Sequence, residues 1–223
     1  MLAMSSPNLP RASQLGASAL LFEACEALGD AAQERVWTVA EEARAWVGVR
    51  ETVPGMNNLM IVFDPLVAPS QDLIDRVNQA WLAPARGARA GKTVEVQVVY
   101  GGEFGPDLAE VAIHAGLDVK TVVELHSQRL YTVYCLGAHP GFAYLAGLDP
   151  KLHTPRRAEP RVKVPAGSVG IGGAQTGAIA QSSPSGWQLI GKTEQTFFDA
   201  AKSPPALLVP GDRVQFRAVR IVS

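Results

Sequence analysis

The sequence predicts an α+β N-terminal domain, with two helices on a small antiparallel sheet, followed by an all-β barrel or sandwich. Three observations lead there. Up to residue 96, apolar runs alternate with two stretches of helical periodicity, in the order β-α-β-β-α plus a border strand. After residue 130 the apolar runs shorten and are separated by glycine, proline and serine, the pattern of barrels and sandwiches. Hydrophobic residues make up 47% of the 223 and charged residues 18%. That supplies material for packed cores and excludes the low-hydrophobicity, high-charge balance of disorder.

Residues 1–13, polar and punctuated by proline, are expected to be a loose tail. Residues 16–23 suit a first strand. Asp30 can cap a helix in which Ala32, Val36, Val39 and Ala43 follow at helical spacing. Residues 46–53 read as a strand, PGMNN at 54–58 as a hairpin tip, and residues 59–63 as the returning strand. Ser70 can cap a second helix carrying Leu73, Val77 and Trp81. Residues 84–91 form a polar connection. Val94, Val96 and Val98 then alternate as in a strand. The domains are accordingly bounded at 1–13, 14–96 and 97–223.

In the second domain GGEFG at 101–105 reads as a flexible loop, with Pro106 in the first turn of a helix that Gly116 ends. Asp118 starts a short helix through Val122, Val123 and His126. Strands are expected at 130–136, 162–164, 168–172, 177–180, 187–191, 206–209 and 213–221.

Charge and cysteine content narrow the function. A formal net charge of -1 offers no overall field for nucleic acid or an anionic membrane. No apolar run approaches the ~20 residues of a membrane span, and MLAMSSPNLPRAS lacks the charged-then-apolar pattern of a signal peptide. Cys25 and Cys135 lie in apolar contexts with no CxxC or Cys/His metal spacing. They are expected to be buried free thiols in a reducing compartment. The expectation is a cytoplasmic protein with a small-molecule substrate, without a nucleic-acid or membrane partner and without a metal site.

The functional centre is expected between residues 136 and 193, in four motifs. Residues 186–193 (GWQLIGKT) satisfy the phosphate-loop pattern G-x-x-x-x-G-K-[ST]. That pattern works as a flexible loop leading into a helix. Here Trp187, Gln188, Leu189 and Ile190 read as a strand, and no helical stripe follows. Residues 165–173 (PAGSVGIGG) either make tight turns in a small barrel or line a surface with backbone donors, through Gly167, Ser168, Gly170 and Gly172. Residues 155–161 (PRRAEPR) carry Arg156 and Arg161 on a proline-stiffened loop. These guanidinium groups either form a structural ion pair or bind an anion. His139, in HPGF at 139–142, is either an ordinary loop histidine or a general acid–base near neutral pH.

Taken together, YGGEFGPDL (100–108), PGFAYL (140–145), the Pro-Arg pairs at 155–156 and 160–161, VPAGSVGI (164–171), QTG (175–177), SPSGW (183–187), IGKT (190–193), FFD (197–199) and GDRVQF (211–216) resemble the family of the 5-oxoprolinase B subunit. That family is also called KipI or allophanate hydrolase subunit 1. The resemblance implies a small α/β domain followed by a cyclophilin-like barrel. It also implies a non-autonomous component of an ATP-dependent hydrolase that opens 5-oxo-L-proline to L-glutamate. The implied partners are the A and C subunits of that hydrolase, the latter KipA-like and also called allophanate hydrolase subunit 2. ATP is the implied co-substrate, with Mg2+ accompanying it. Alternatives within the resemblance are an inhibitor of a sensor histidine kinase and a carboxyltransferase-related component. Three positions depart from the usual pattern: His139 replaces an aromatic residue, GKT replaces GRT, and residues 178–181 replace a Tyr-Pro stretch.

On this reading Arg161 and Arg156 stabilise developing negative charge and His139 moves a proton. Pro140, Gly141, Phe142, Gly167, Ser168, Gly170, Gly172, Gln175, Thr176 and Trp187 shape the substrate pocket. Arg161→Ala is expected to abolish activity and leave the fold intact.

Overall fold

The computed structural model describes residues 9–83 and 91–222. Residues 1–8 of the expected tail and 84–90 of the expected connection lie outside the described residues. The chain divides into two compact units at residues 89/90.

The first unit holds β1 (Arg11–Leu15), β2 (Ala19–Glu23), α1 (Asp30–Ala43), β3 (Val49–Pro54), β4 (Asn58–Phe63) and α2 (Ser70–Leu82). Its strands form one antiparallel sheet in the order β1-β2-β4-β3. Alternation puts Leu20, Phe22, Leu59, Ile61 and Phe63 on one face, where α1 contributes Val36, Val39, Ala40 and Ala43 and α2 contributes Leu73, Val77 and Trp81. PGMNN is the β3–β4 turn. The buried Gln33 fixes it, donating through Nε2 to the Gly55 carbonyl at 2.9 Å and accepting the Asn57 N–H at 2.9 Å.

Several expectations need correction in this unit. Residues 11–13 are not a loose tail: they form β1, with Arg11 opposite Glu23 and Ala12 opposite Phe22 across a turn at Gly16. Neither Asp30 nor Ser70 is a cap, since each is the first residue of its helix, behind Gly29 and Pro69. Cys25 is exposed. Cys135 is buried, and burial pushes its thiol up to about 11.

The second unit holds β5 (Thr93–Gly101), α3 (Leu108–Ala115), α4 (Val119–Ser127), β6 (Leu130–Leu136), β7 (Ala143–Ala146), β8 (Arg161–Val164), β9 (Ser168–Gly172), β10 (Gln175–Ala178), β11 (Ser183–Ser185), β12 (Gln188–Lys192) and β13 (Arg213–Val222). Seven strands close a barrel in the order β10-β7-β6-β13-β5-β12-β9. Closure depends on a parallel pairing of β5 with β13, from Arg213 opposite Thr93 to Val222 opposite Gly101. The strands β8 and β11 make a separate two-stranded sheet.

The division at 89/90, rather than 96/97, follows from β5. It starts at Thr93 and pairs along its length with barrel strands. Gly116 ends α3 in the left-handed region at φ 65°, and the Asp118 carboxylate caps α4 by accepting the Thr121 N–H at 2.9 Å. The run 206–209 is not a strand: it makes one isolated bridge, Ala206 to Phe198. The strands β7 and β11 are not apparent from the sequence, because prolines precede or interrupt their short runs.

Candidate functional site

The segment after β5 turns through a single 3-10 turn, Gly102–Phe104, and delivers Asp107 to the start of α3. Asp107 is 4% exposed, so its charge needs partners. Arg161, the first residue of β8, supplies a two-pronged pair: Nη1 donates to Oδ2 at 2.9 Å and Nη2 to Oδ1 at 2.7 Å. The Leu189 N–H donates to Oδ2 at 2.7 Å, and Arg157 Nη1 reaches Oδ1 at 3.4 Å. The Asp107 N–H in turn donates to the Leu189 carbonyl at 2.9 Å. Asp107 therefore ties α3 to β8 through Arg161 and to β12 through Leu189. Both of its terminal nitrogens are engaged, so the structural ion pair weighed from sequence is what the fold makes. Arg156, two residues before that loop's Ala158, is exposed and lies 5.9 Å from the centre of the Trp187 ring.

Beside the clamp lies a pocket of about 330 Å³. Arg161, Lys163, Lys192 and Ser168 give it polar donors, Glu103 a carboxylate, and Phe104 an apolar wall. Phe104 and Lys192 also line a larger groove of about 890 Å³, formed by β5, β13 and the chain after β12. On the other side of Asp107, a shallow groove of about 670 Å³ collects Arg156, Arg157, Glu110, His114 and Gln188.

The remaining candidates separate into two groups. Phe142 and Trp187 are buried in an edge-to-face aromatic cluster with the half-buried Tyr144, at centroid distances of 4.9–6.4 Å. His139 packs on Phe142, and its Nε2 lies 3.3 Å from Ser183 Oγ. Its Nδ1 is buried and has no hydrogen-bond partner among the described residues. Pro140 is exposed, whereas Gly141 is buried at φ 80° against Phe197 and Phe198.

Thr176 belongs elsewhere. It is fully buried in the barrel, where its hydroxyl donates to the Gly170 carbonyl at 2.9 Å and lies 2.7 Å from His126 Nε2. The other His126 nitrogen, Nδ1, is 2.8 Å from Tyr100 Oη. Burial lowers His126 to about 3, so the ring is neutral. Thr176 is thus a core residue and not a pocket residue.

The glycines of 165–173 act as backbone spacers. A Cβ on Gly172 would lie 2.6 Å from Trp187 Nε1, and one on Gly167 would lie 2.2 Å from the Thr193 carbonyl oxygen. Gly170 is likewise buried against β12. They let strands and Trp187 approach closely and present no open row of donors; Gln175 pairs with Gly172 across the β9–β10 turn. Residues 188–192 are strand β12, and the Thr193 N–H donates to the Gly167 carbonyl at 2.8 Å. The loop-to-helix geometry of a phosphate loop is absent there. Among the described residues, no three His, Cys, Asp or Glu side chains are grouped to hold a metal ion.

Sequence reasoning missed Asp107, Glu103, Lys163, Lys192 and Tyr144. The available signal was position: Glu103 and Asp107 lie in YGGEFGPDL, Lys163 two residues after Arg161 and Lys192 in IGKT.

Comparison with known proteins first fixes the class. Residues 10–208 match the family model described as carboxyltransferase domain, subdomain C and D. The crystal structure of Kluyveromyces lactis urea amidolyase shares the fold at a TM-score of 0.80 and 21% identity, over 98% of this chain and 15% of that one. The structure of TTHA0988 matches at a TM-score of 0.77 and 36% identity, over 90% of this chain and 40% of its own length. This chain therefore spans well under half of that protein.

Curated relatives then narrow it. The 5-oxoprolinase B subunit of Escherichia coli O157:H7 is 46% identical over 91% of this chain and 93% of its own length. The Haemophilus influenzae protein of the same name is 46% identical over 82% and 86%, and that of Bacillus subtilis 36% over 91% and 90%. The chain belongs to the family of the 5-oxoprolinase B subunit. No described helix is long and apolar enough to cross a membrane.

Proposed function

We propose that the chain is a non-autonomous, cytoplasmic component of an ATP-dependent 5-oxoprolinase, opening the cyclic amide of 5-oxo-L-proline to L-glutamate together with the A and C subunits. The observation that carries this reading is the 46% identity over 93% of the length of the 5-oxoprolinase B subunit from E. coli O157:H7. The barrel, with β5 and β13 parallel and two helices, also supports the cyclophilin-like reading. Function lives in sites and not in folds, and here the solvent-facing cations Arg156, Lys163 and Lys192 border the grooves.

Those cations suit an anionic substrate or the phosphates of ATP, with Mg2+ entering on the nucleotide. Opening an amide with ATP develops negative charge on the carbonyl oxygen and the transferred phosphoryl group, which fixed cations stabilise. The clamp through Asp107 would hold the bordering strands rigid, a positioning role for Arg161. The small size of the cation-lined pocket suits one half of a reaction shared with partner proteins.

Reconstitution tests the proposal. The chain mixed with the A and C subunits, 5-oxo-L-proline and ATP is expected to form glutamate, and the chain alone none. Absence of glutamate from the complete mixture, with tight binding to a sensor histidine kinase, would replace the hydrolase reading by the inhibitor reading. The family model's description favours one further alternative, carboxyl transfer. Turnover that requires bicarbonate and a biotin carrier would establish it.

A further inference from the structure

The 330 Å³ pocket holds, beside the paired Arg161, functional groups that no ion pair among the described residues uses up. Glu103, Lys163 and Lys192 line it, and their side chains make no ion pair with any described residue. Ser168 is 4% exposed, yet its hydroxyl has no partner among the described residues and is not sealed off, which leaves it facing the pocket it lines. Arg161 contributes little free charge, because Asp107 neutralises it. The accessible set is therefore two ammonium groups, one hydroxyl, one carboxylate and the Phe104 ring, with Pro106, Pro165 and Leu189 completing an apolar floor.

This donor set can be matched to a ligand by chemistry. Two ammonium groups select an anion. The carboxylate of Glu103 argues against ATP phosphates, which repel it and offer it no proton, and for a ligand that also carries an N–H donor. A hydroxyl can donate to a carbonyl oxygen, and an aromatic ring with prolines packs on ring methylenes. The volume is at the small end of the roughly 300–1,000 Å³ range of small-molecule sites.

Resting on the 5-oxoprolinase reading above, we infer that this pocket is the site for 5-oxo-L-proline on this chain: Lys163 and Lys192 hold its carboxylate, Glu103 accepts the ring N–H, and Ser168 donates to the lactam carbonyl. Phe104 covers the ring carbons. Lys192, shared with the 890 Å³ groove, places the bound carboxylate at the opening between the two cavities.

Titration calorimetry on the full chain tests the assignment, with KM in the reconstituted complex as a second readout. The wild-type chain is expected to bind 5-oxo-L-proline. Lys163→Gln and Lys192→Gln should each weaken it at least tenfold, and Glu103→Gln several-fold. The ligand's carboxamide analogue, which lacks the carboxylate, should bind at least tenfold more weakly. In the complex the same variants should raise KM for 5-oxo-L-proline and leave KM for ATP unchanged. The assignment is overturned if the K163Q/K192Q double variant binds as the wild type does, or if neither chain nor complex binds 5-oxo-L-proline. Binding by the wild-type chain that the lysine variants weaken, in a complex forming no glutamate, would remove the hydrolase reading and leave the site standing.

Discussion

The buried Asp107 carboxylate receives two nitrogens of Arg161, one of Arg157 and the Leu189 N–H. Removing one partner of a buried pair leaves an uncompensated charge, at a cost of roughly 3–5 kcal/mol. Arg161→Ala is therefore expected to lower unfolding stability by about 3 kcal/mol or more, not to remove activity from an intact fold. Urea denaturation checks this, and a variant as stable as the wild type would restore Arg161 to a purely chemical role. His126 makes a second prediction at this scale. Its folded pKa of about 3 lies below the unfolded value near 6.5, so below pH 6.5 the unfolded chain takes up a proton that the folded chain refuses. Stability is complete above that window and falls as pH drops through it. Between pH 7 and pH 5 the loss should be about 2 kcal/mol, and His126→Gln should flatten the profile.

The Trp187 indole lies directly against the backbone of β9 because Gly172 has no side chain. A methyl group there would sit 2.6–2.7 Å from the indole, which buried Phe142 and Leu189 prevent from yielding. Gly172→Ala should cost about 1–3 kcal/mol by overpacking, with a shifted Trp187 emission as the spectroscopic sign. A wild-type spectrum and stability would mean the cluster is looser than its ring distances state. The same packing explains why the glycine-rich element shapes the site indirectly. Its backbone groups are consumed by strand pairing, so the open chemistry falls to side chains at strand ends: Lys163 near the end of β8, Ser168 at the start of β9 and Lys192 at the end of β12.

Barrel closure joins segments about 120 residues apart, and β13 supplies it by pairing with both β5 and β6. A chain ending at Asp212 should therefore fail to assemble the barrel, since β5 loses its parallel partner and the core loses Val214 and Phe216. Circular dichroism of the truncated chain should show reduced strand content. Native-like signal and a cooperative transition for the chain shortened to residue 212 would refute the closing role of β13. The core of the first unit shares no residue with the two core clusters of the second. A core substitution such as Ile61→Ala should thus cost the first unit about 2–5 kcal/mol and leave the environment of Trp187 unchanged.

Periodicity determined which segments become helices and most of the strands, because burying one face imposes a period that survives in the sequence. Leu73, Val77 and Trp81 on α2, and Leu59, Ile61 and Phe63 on β4, were legible for that reason. The family was legible because its motifs occur in order along one chain. Residue roles were not. Arg161 and Thr176 carry the functional groups a site needs, and only the tertiary structure reveals that Asp107 and His126, 54 and 50 residues away, already occupy them. The phosphate-loop letters at 186–193 likewise acquired their meaning from pairing, since β5 and β9 hold that stretch extended. The order of residues determines which chemical groups are present and which faces they take. Long-range contacts decide which of those groups remain free, and in the 330 Å³ pocket Glu103, Lys163, Ser168 and Lys192 keep side chains without a partner among the described residues.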